Sequence, residues 1–355
     1  MGVVMKRPTP AVSQPATLAE IARAAGVSAP TVSKVLNGRA DVAPATRTRV
    51  EELLRRHGYR RRRAEASRSP LIDLVFHELE SAWALEVIRG VENVARDQGL
   101  SVVLSESAGR PTPGRTWADQ VAARRPHGVV LVLSGLGESH RALLTSRSIP
   151  FVVMDPAGDP GDDVPSVGAT NWQGGLAATR YLVYLGHRRI GVISGPSQMM
   201  CSRARLDGYR AALETAGLPV DASLIRAGDF HHEAGHRAGL ELLRLPNRPS
   251  AVFAGNDLQA LGLYEAAREL GLRIPEDLSV VGFDDLPVAR WAGPPLTTVR
   301  QPLTEMAEAA ARLVLDLGRG ERPPTVTQVE VATSLVVRSS CCRWDAENFT
   351  EAGGV

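Results

Sequence analysis

Residues 17–60 read TLAEIARAAGVSAPTVSKVLNGRADVAPATRTRVEELLRRHGYR, and three more arginines follow at 61–63. Thr17 with Glu20 three residues on makes a capping box for a first helix. Leu18, Ile21, Ala22 and Ala25 then fall on one face at helical spacing. Gly26 ends that helix and Val27 plugs the gap to the next. Ser28 caps a second helix, and Pro30 sits in its first turn, where a missing N–H costs little. Val32, Val35 and Leu36 form its buried stripe. Ala29, Pro30, Thr31, Ser33, Lys34 and Asn37 are left facing outward. A surface of small and hydrogen-bonding side chains with one cation suits a DNA major groove. A third helix, about 44–56, buries Val50, Leu53 and Leu54 and turns Arg47, Arg49, Arg55 and Arg56 outward. The stretch predicts an all-α helix-turn-helix head.

Charge supports that reading. Residues 1–70 carry 14 Lys and Arg against 5 Asp and Glu, a surplus of nine positive charges. The other 285 residues carry 27 against 34, a deficit of seven. A basic head on an acidic body points to a polyanion partner for the head alone. Residues 1–16 lack the apolar core of a signal peptide and read as a disordered leader, and no apolar run approaches a membrane span, so a cytoplasmic protein is expected. Cys201, Cys341 and Cys342 have no metal-ligand spacing and read as unpaired thiols.

Beyond a basic linker at 61–70 the pattern changes. Short runs rich in Val, Ile and Leu recur at 71–76, 101–105, 128–134, 150–155, 189–194, 251–255 and 278–283. Each is too short for a helix and apolar on both faces, as the strands of a parallel sheet are. Helical stretches at 84–98, 174–185, 203–216 and 257–270 lie between them and end at Gly99, Gly186, Gly217 and Gly271. The alternation predicts doubly wound α/β structure, and its length suits two sheets.

The head, together with MDP (154–156), GHRRIGVISGP (186–196), RLDGYRAAL (205–213), LRIPEDLSVVGFDD (272–285) and PPLTTVRQP (294–302), resembles the lactose/galactose repressor family of bacterial transcription regulators. The resemblance runs through about residues 17–340. It implies a head at 17–60 and a hinge at 61–70. It also implies an effector-binding and dimerisation body at 71–340, built of two subdomains like those of periplasmic sugar-binding proteins. One subdomain takes 71–169 and 299–329, the other 170–298 and 330–340. Residues 341–355 read as a flexible tail without leucine heptads, so a homodimer is expected rather than a coiled-coil tetramer. The implied partners are a near-palindromic double-stranded DNA operator and a small-molecule effector, a sugar by preference.

Carried over by position, Ala29, Pro30 and Lys34 match base-reading positions, and Thr31 and Ser33 match base or backbone contacts. Asn37 and Arg47 match phosphate contacts. Thr17 and Ser28 join the DNA face as helix caps. The hinge departs from the family pattern. Arg60 follows Tyr59 directly, and Arg68 stands where a leucine wedge is usual. Arg61, Arg62 and Arg63 therefore become candidates for the minor groove or for phosphates.

In the body, Arg205 and Asp284 match effector-facing positions. Trp83, Trp172, Phe230 and Trp291 match cleft-side aromatics. Asn256 and Asp257 follow a strand end, where Asp257 either bonds a hydroxyl or only caps the next helix. Met199 stands where purine-binding members of the family carry a cation, which disfavours a nucleobase.

No catalytic residue, cofactor or metal is expected. The pairs His231–His232, Asp284–Asp285 and Asp162–Asp163 come without a nucleophile–base set. The sign of regulation stays open: an activator, or a corepressor-dependent regulator with a non-sugar effector, fits the same residues.

Overall fold

The computed structural model describes residues 18–36, 42–56, 68–79, 82–107, 112–161, 163–319 and 328–344. The chain divides into two compact units between Ser67 and Arg68.

The first unit holds three helices, α1 (Leu18–Ala25), α2 (Ala29–Leu36) and α3 (Pro44–Arg56). Their core is Ile21, Ala22, Ala25, Val32, Val35, Val42 and Val50, with Val27, Leu53 and Leu54 packed against it. Between α1 and α2, Gly26 takes a left-handed φ of +65°. Its N–H donates to Arg23, and that of Val27 to the Ala22 carbonyl. These are the two bonds of a Schellman stop. A Cβ on Gly26 would meet no neighbour, so backbone conformation alone asks for glycine.

In the second unit, five strands alternate with helices: β1 (Ser69–Phe76), α4 (Ala82–Asp97), β2 (Ser101–Glu106), α5 (Arg115–Arg124), β3 (Pro126–Val132), α6 (Glu138–Ser146), β4 (Phe151–Met154) and β5 (Ser166–Ala169). The chain then crosses to a second subdomain of α7 (Asn171–Tyr184), β6 (Ile190–Ser194), α8 (Met200–Thr215), β7 (Ile225–Ala227), α9 (His232–Leu243), β8 (Ala251–Ala254), α10 (Asp257–Glu269), β9 (Ser279–Asp284), α11 (Pro287–Trp291) and β10 (Thr297–Arg300). It returns for α12 (Leu303–Arg319) and β11 (Gln328–Val331), then crosses a last time into β12 (Ser334–Val336).

The sheets run β11-β5-β4-β3-β1-β2 and β12-β10-β9-β8-β6-β7. Every pairing is parallel except β10 with β12. All seven apolar runs form strands. The second sheet is sandwiched between two buried clusters, one around Leu242, Leu263 and Val280, the other around Leu182, Tyr209 and Phe253.

Three boundaries differ from expectation. Thr298, Val299 and Arg300 pair with Gly282, Phe283 and Asp284 in the second sheet, while Glu330 and Val331 pair with β5 in the first. The second and third crossings therefore fall about two residues later than placed. Ser69 and Pro70 open β1 instead of ending a linker, and Pro70 is tolerated where the β1–β3 register shifts. The segment expected as a tail begins packed: the Trp344 N–H donates to the Leu185 carbonyl, and its ring lies 5.5 Å from that of His187. Burial of His187 lowers its pKa to about 4, so it is neutral there.

Candidate effector cleft and DNA-binding face

On α2, Ser28 receives the Thr31 N–H at its Oγ (3.3 Å), and the two hydroxyls lie 2.8 Å apart. That fixes the helix start and turns its first residues outward. Ser28, Ala29, Pro30 and Lys34 are exposed, and Thr31, Ser33 and Arg47 half-buried. Thr17, Asn37, Arg61, Arg62 and Arg63 lie outside the described residues. Arg68, at the position of the usual leucine wedge, belongs to the second unit. Its guanidinium donates to the carbonyls of Gly318 (3.0 Å) and Ser148 (3.4 Å), closing the end of α12.

The larger site lies between the two subdomains. Parallel strands of both sheets end there, as ligand sites of open α/β sheets do. His77 and Glu78 follow β1, Leu133 follows β3, Asp155 follows β4, Pro196 follows β6, Asn256 follows β8, and Asp284 ends β9. They enclose a cleft of about 360 Å3, lined also by Trp83, Met199, Cys201, Arg205 and Phe230. Four lining residues, Leu133 (φ +49°), Asp155 (+46°), Phe230 (+73°) and Asp284 (+105°), are left-handed without being glycine. Non-glycine residues hold such conformations only where the surroundings impose them, and these places cluster at functional sites.

Arg205 organises the floor. It is 5% exposed, on α8. Its Nε donates to Asn171 Oδ1 (2.8 Å), its Nη1 to the Gly255 carbonyl (2.7 Å) and its Nη2 to Gln301 Oε1 (2.9 Å). Gln301 passes the polarity on, donating to Asp155 Oδ2 at 2.6 Å. The guanidinium carbon lies 3.6 Å from the centre of the Phe283 ring. Asp284 Oδ1 is 3.5 Å from Nη1 and, though buried, accepts no hydrogen bond. Burial, aided by the nearby Asp155, raises the Asp284 carboxyl to about 7 against the pull of Arg205. Asp155 itself is raised, by burial first. One buried cation thus serves two carboxylates, one of which, Asp284, keeps a buried acceptor without a hydrogen bond.

At the entrance, His231 Nε2 and Glu78 Oε2 are 3.2 Å apart, linking the subdomains. His231 stands out in sequence only beside His232, and Glu78 not at all; the convergence of β1 with the start of α9 joins the two.

Three expected cleft residues sit elsewhere. Trp291 is 78% exposed, outside the cleft. It follows the buried Ala289 by two residues on α11, about 200° around a helix, and so points away from the core. Trp172 is one residue past Asn171 on α7, about 100° around. Asn171 turns in to Arg205, while Trp172 lines a separate cavity. Asp257 is fully buried, accepting from the Leu286 N–H (2.7 Å) and the Thr298 hydroxyl (2.5 Å). The helix cap is instead Asn256, whose Oδ1 accepts from Gln259 N–H and whose Nδ2 holds the Phe230 carbonyl, both at 2.9 Å.

A helix-turn-helix head on a body of this kind defines a DNA-binding regulator with a periplasmic-binding-protein-like domain. Comparison with known proteins agrees. The family model "Bacterial regulatory proteins, lacI family" matches residues 17–62, and "Periplasmic binding protein-like domain" matches 179–341. The HTH-type transcriptional repressor CytR of Escherichia coli K12 is 35% identical, over 92% of this chain and 96% of its own. The HTH-type transcriptional repressor PurR of Klebsiella pneumoniae is 35% identical over 92% and 96%. Among solved structures, the transcriptional regulator CelR–cellobiose complex superposes with a TM-score of 0.71 at 35% identity, covering 92% of this chain and 99% of that one. The lac repressor dimer bound to operator and the anti-inducer ONPF gives 0.68 at 28% identity, over 93% and 100%. The chain belongs to the lacI family of bacterial transcription regulators.

No helix among the described residues is long and apolar enough to cross a membrane.

Proposed function

We propose that this regulator is a cytoplasmic, homodimeric repressor of carbohydrate-utilisation genes, released from a near-palindromic operator by a saccharide bound between its subdomains. The observation that carries the saccharide is the pairing of Arg205 with Asp284 in a cleft walled by Trp83 and Phe230. Buried charged groups bond pairs of hydroxyls, and aromatic faces take the apolar side of a sugar ring. Asn256 holds Phe230 in place more than it offers a free hydrogen-bonding group. Met199 leaves that wall without the cation a nucleobase site would carry. Cellobiose in the CelR complex supports a disaccharide.

The exposed face of α2, from Ser28 to Lys34, enters the major groove, with Thr17, Asn37 and Arg47 at its phosphate edges. Arg61, Arg62 and Arg63 follow the adjacent backbone or minor groove. A ligand that favours one cleft geometry shifts the two-state equilibrium and with it operator affinity. The test is a gel-shift titration on the palindrome nearest the gene, with a panel of mono- and disaccharides. The expected result is that one sugar weakens binding and that Asp284→Ala abolishes its effect. A sugar that tightens binding would reverse the sign of the mechanism.

A further inference from the structure

The second cavity, the one that holds Trp172, is the larger of the two at about 430 Å3. It lies where the edge strand β11 and its neighbour β5 face the starts of α7 and α8, and it shares Asp155 and Cys201 with the effector cleft as a common wall. Two large apolar side chains stand exposed on its sides, Trp172 (42%) and Met200 (37%). An exposed indole beside a thioether in a concave wall is costly in water and is ordinarily a contact surface. Around it are the carboxylates of Asp159 and Glu330 and the amides of Gln173 and Gln328, all exposed.

Among the described residues no Lys, Arg or His lines the cavity, so none of them would hold a phosphate or carboxylate. An organic cation would satisfy the carboxylates and stack on the indole, but it offers no acceptor to the two amide NH2 groups. A sugar hydroxyl both donates and accepts, and matches the whole set. The common wall is not inert. Asp155 receives Gln301, and Gln301 receives Arg205, so a ligand against one side presses on the groups that form the other.

We propose that this cavity is a second saccharide-binding site, with Trp172 as its stacking platform, lying back to back with the effector cleft. It stands on its own residues; only its bearing on operator release rests on the function proposed above.

Titration of the full chain with cellobiose and with D-glucose, followed by calorimetry and indole fluorescence, tests it. Asp284→Ala silences the cleft and Trp172→Ala the second cavity. The expected result is two saccharide-binding components in the parent, of which one survives Asp284→Ala and weakens about tenfold or more in Trp172→Ala, with partial retention in Trp172→Phe, while the cleft's component persists in both Trp172 variants. Trp172 is exposed, so its variants should melt like the parent, and a matching melt ties the loss to the site. If the parent binds one equivalent and Asp284→Ala binds none, the second site is refuted and the cleft reading stands. If binding disappears in Trp172→Ala alone, the cleft reading falls and the second site stands. Choline bound in place of either sugar, with the same dependence on Trp172, overturns the saccharide assignment.

Discussion

Replacing Arg205 by alanine removes the one positive charge among the described residues that offsets two buried carboxylates, and the cost follows from its contacts. Three donated bonds of 2.7–2.9 Å and the stacking on Phe283 disappear. Asp155 and Asp284, both at least 95% buried, lose their cation. Orphaning one partner of a buried ion pair costs about 3–5 kcal/mol. For a unit of this size about 2 °C follows per kcal/mol, so melting should fall by roughly 6–10 °C.

The carboxylates can escape by holding protons, which sets a pH dependence. Their pKa values are already raised in the folded protein and rise further without the guanidinium. A raised carboxyl stabilises the fold below its unfolded pKa and loses that contribution as pH climbs through its folded one. The deficit of Arg205→Ala should therefore be larger at pH 8 than at pH 5.5. Adding Asp284→Asn should restore part of it, with a coupling of about 1–3 kcal/mol. Differential scanning calorimetry of the four variants at both pH values measures all of this. A single variant melting within about 2 °C of the parent at pH 8 would mean that the network does not organise the floor.

In the parent, Asp284, at about 7 against an ordinary 3.8, contributes to a decline of stability between those pH values, because the folded chain keeps until about pH 7 a proton that the unfolded one has already lost. Asp284→Asn should flatten that part of the melting profile, and an unchanged slope would assign it to other groups. At the contact of α7 with α8, a Cβ on Gly208 would come within 2.2 Å of the Trp172 carbonyl oxygen. Gly208→Ala should destabilise by about 1–3 kcal/mol in chemical denaturation despite alanine's better helix propensity, and a stabilised variant would mean the helices part freely.

How far the sequence carries the structure depends on what each residue's position rests on. Most of the strands were readable because Val, Ile and Leu runs suit strands buried on both faces, although the run at 101–105 forms the partly exposed edge strand β2. The head was readable because Gly26, Ser28 and the Val32–Val35 stripe are local signals. Arg205 and Asp284 were readable because they stand in the motifs RLDGYR and GFDD. The tryptophans divide differently. Trp83 faces the cleft, while Trp172 and Trp291 are each set by helix phase, one turned by a step of about 100° and the other by two. A position in a motif does not encode that phase unless the helix start is known to the residue. Asn171 and Asn256 show the same limit from the other side. Each sits at a helix start beside a residue singled out from sequence: Asn171 takes the inward place expected of Trp172, and Asn256 takes the cap offered to Asp257. The pairing of Glu78 with His231 lies beyond such reading, although His231 stands out in sequence beside His232. Their 3.2 Å contact exists only because two subdomains close on each other, and a cleft between subdomains is specified by the three crossings of the chain, not by any segment within it.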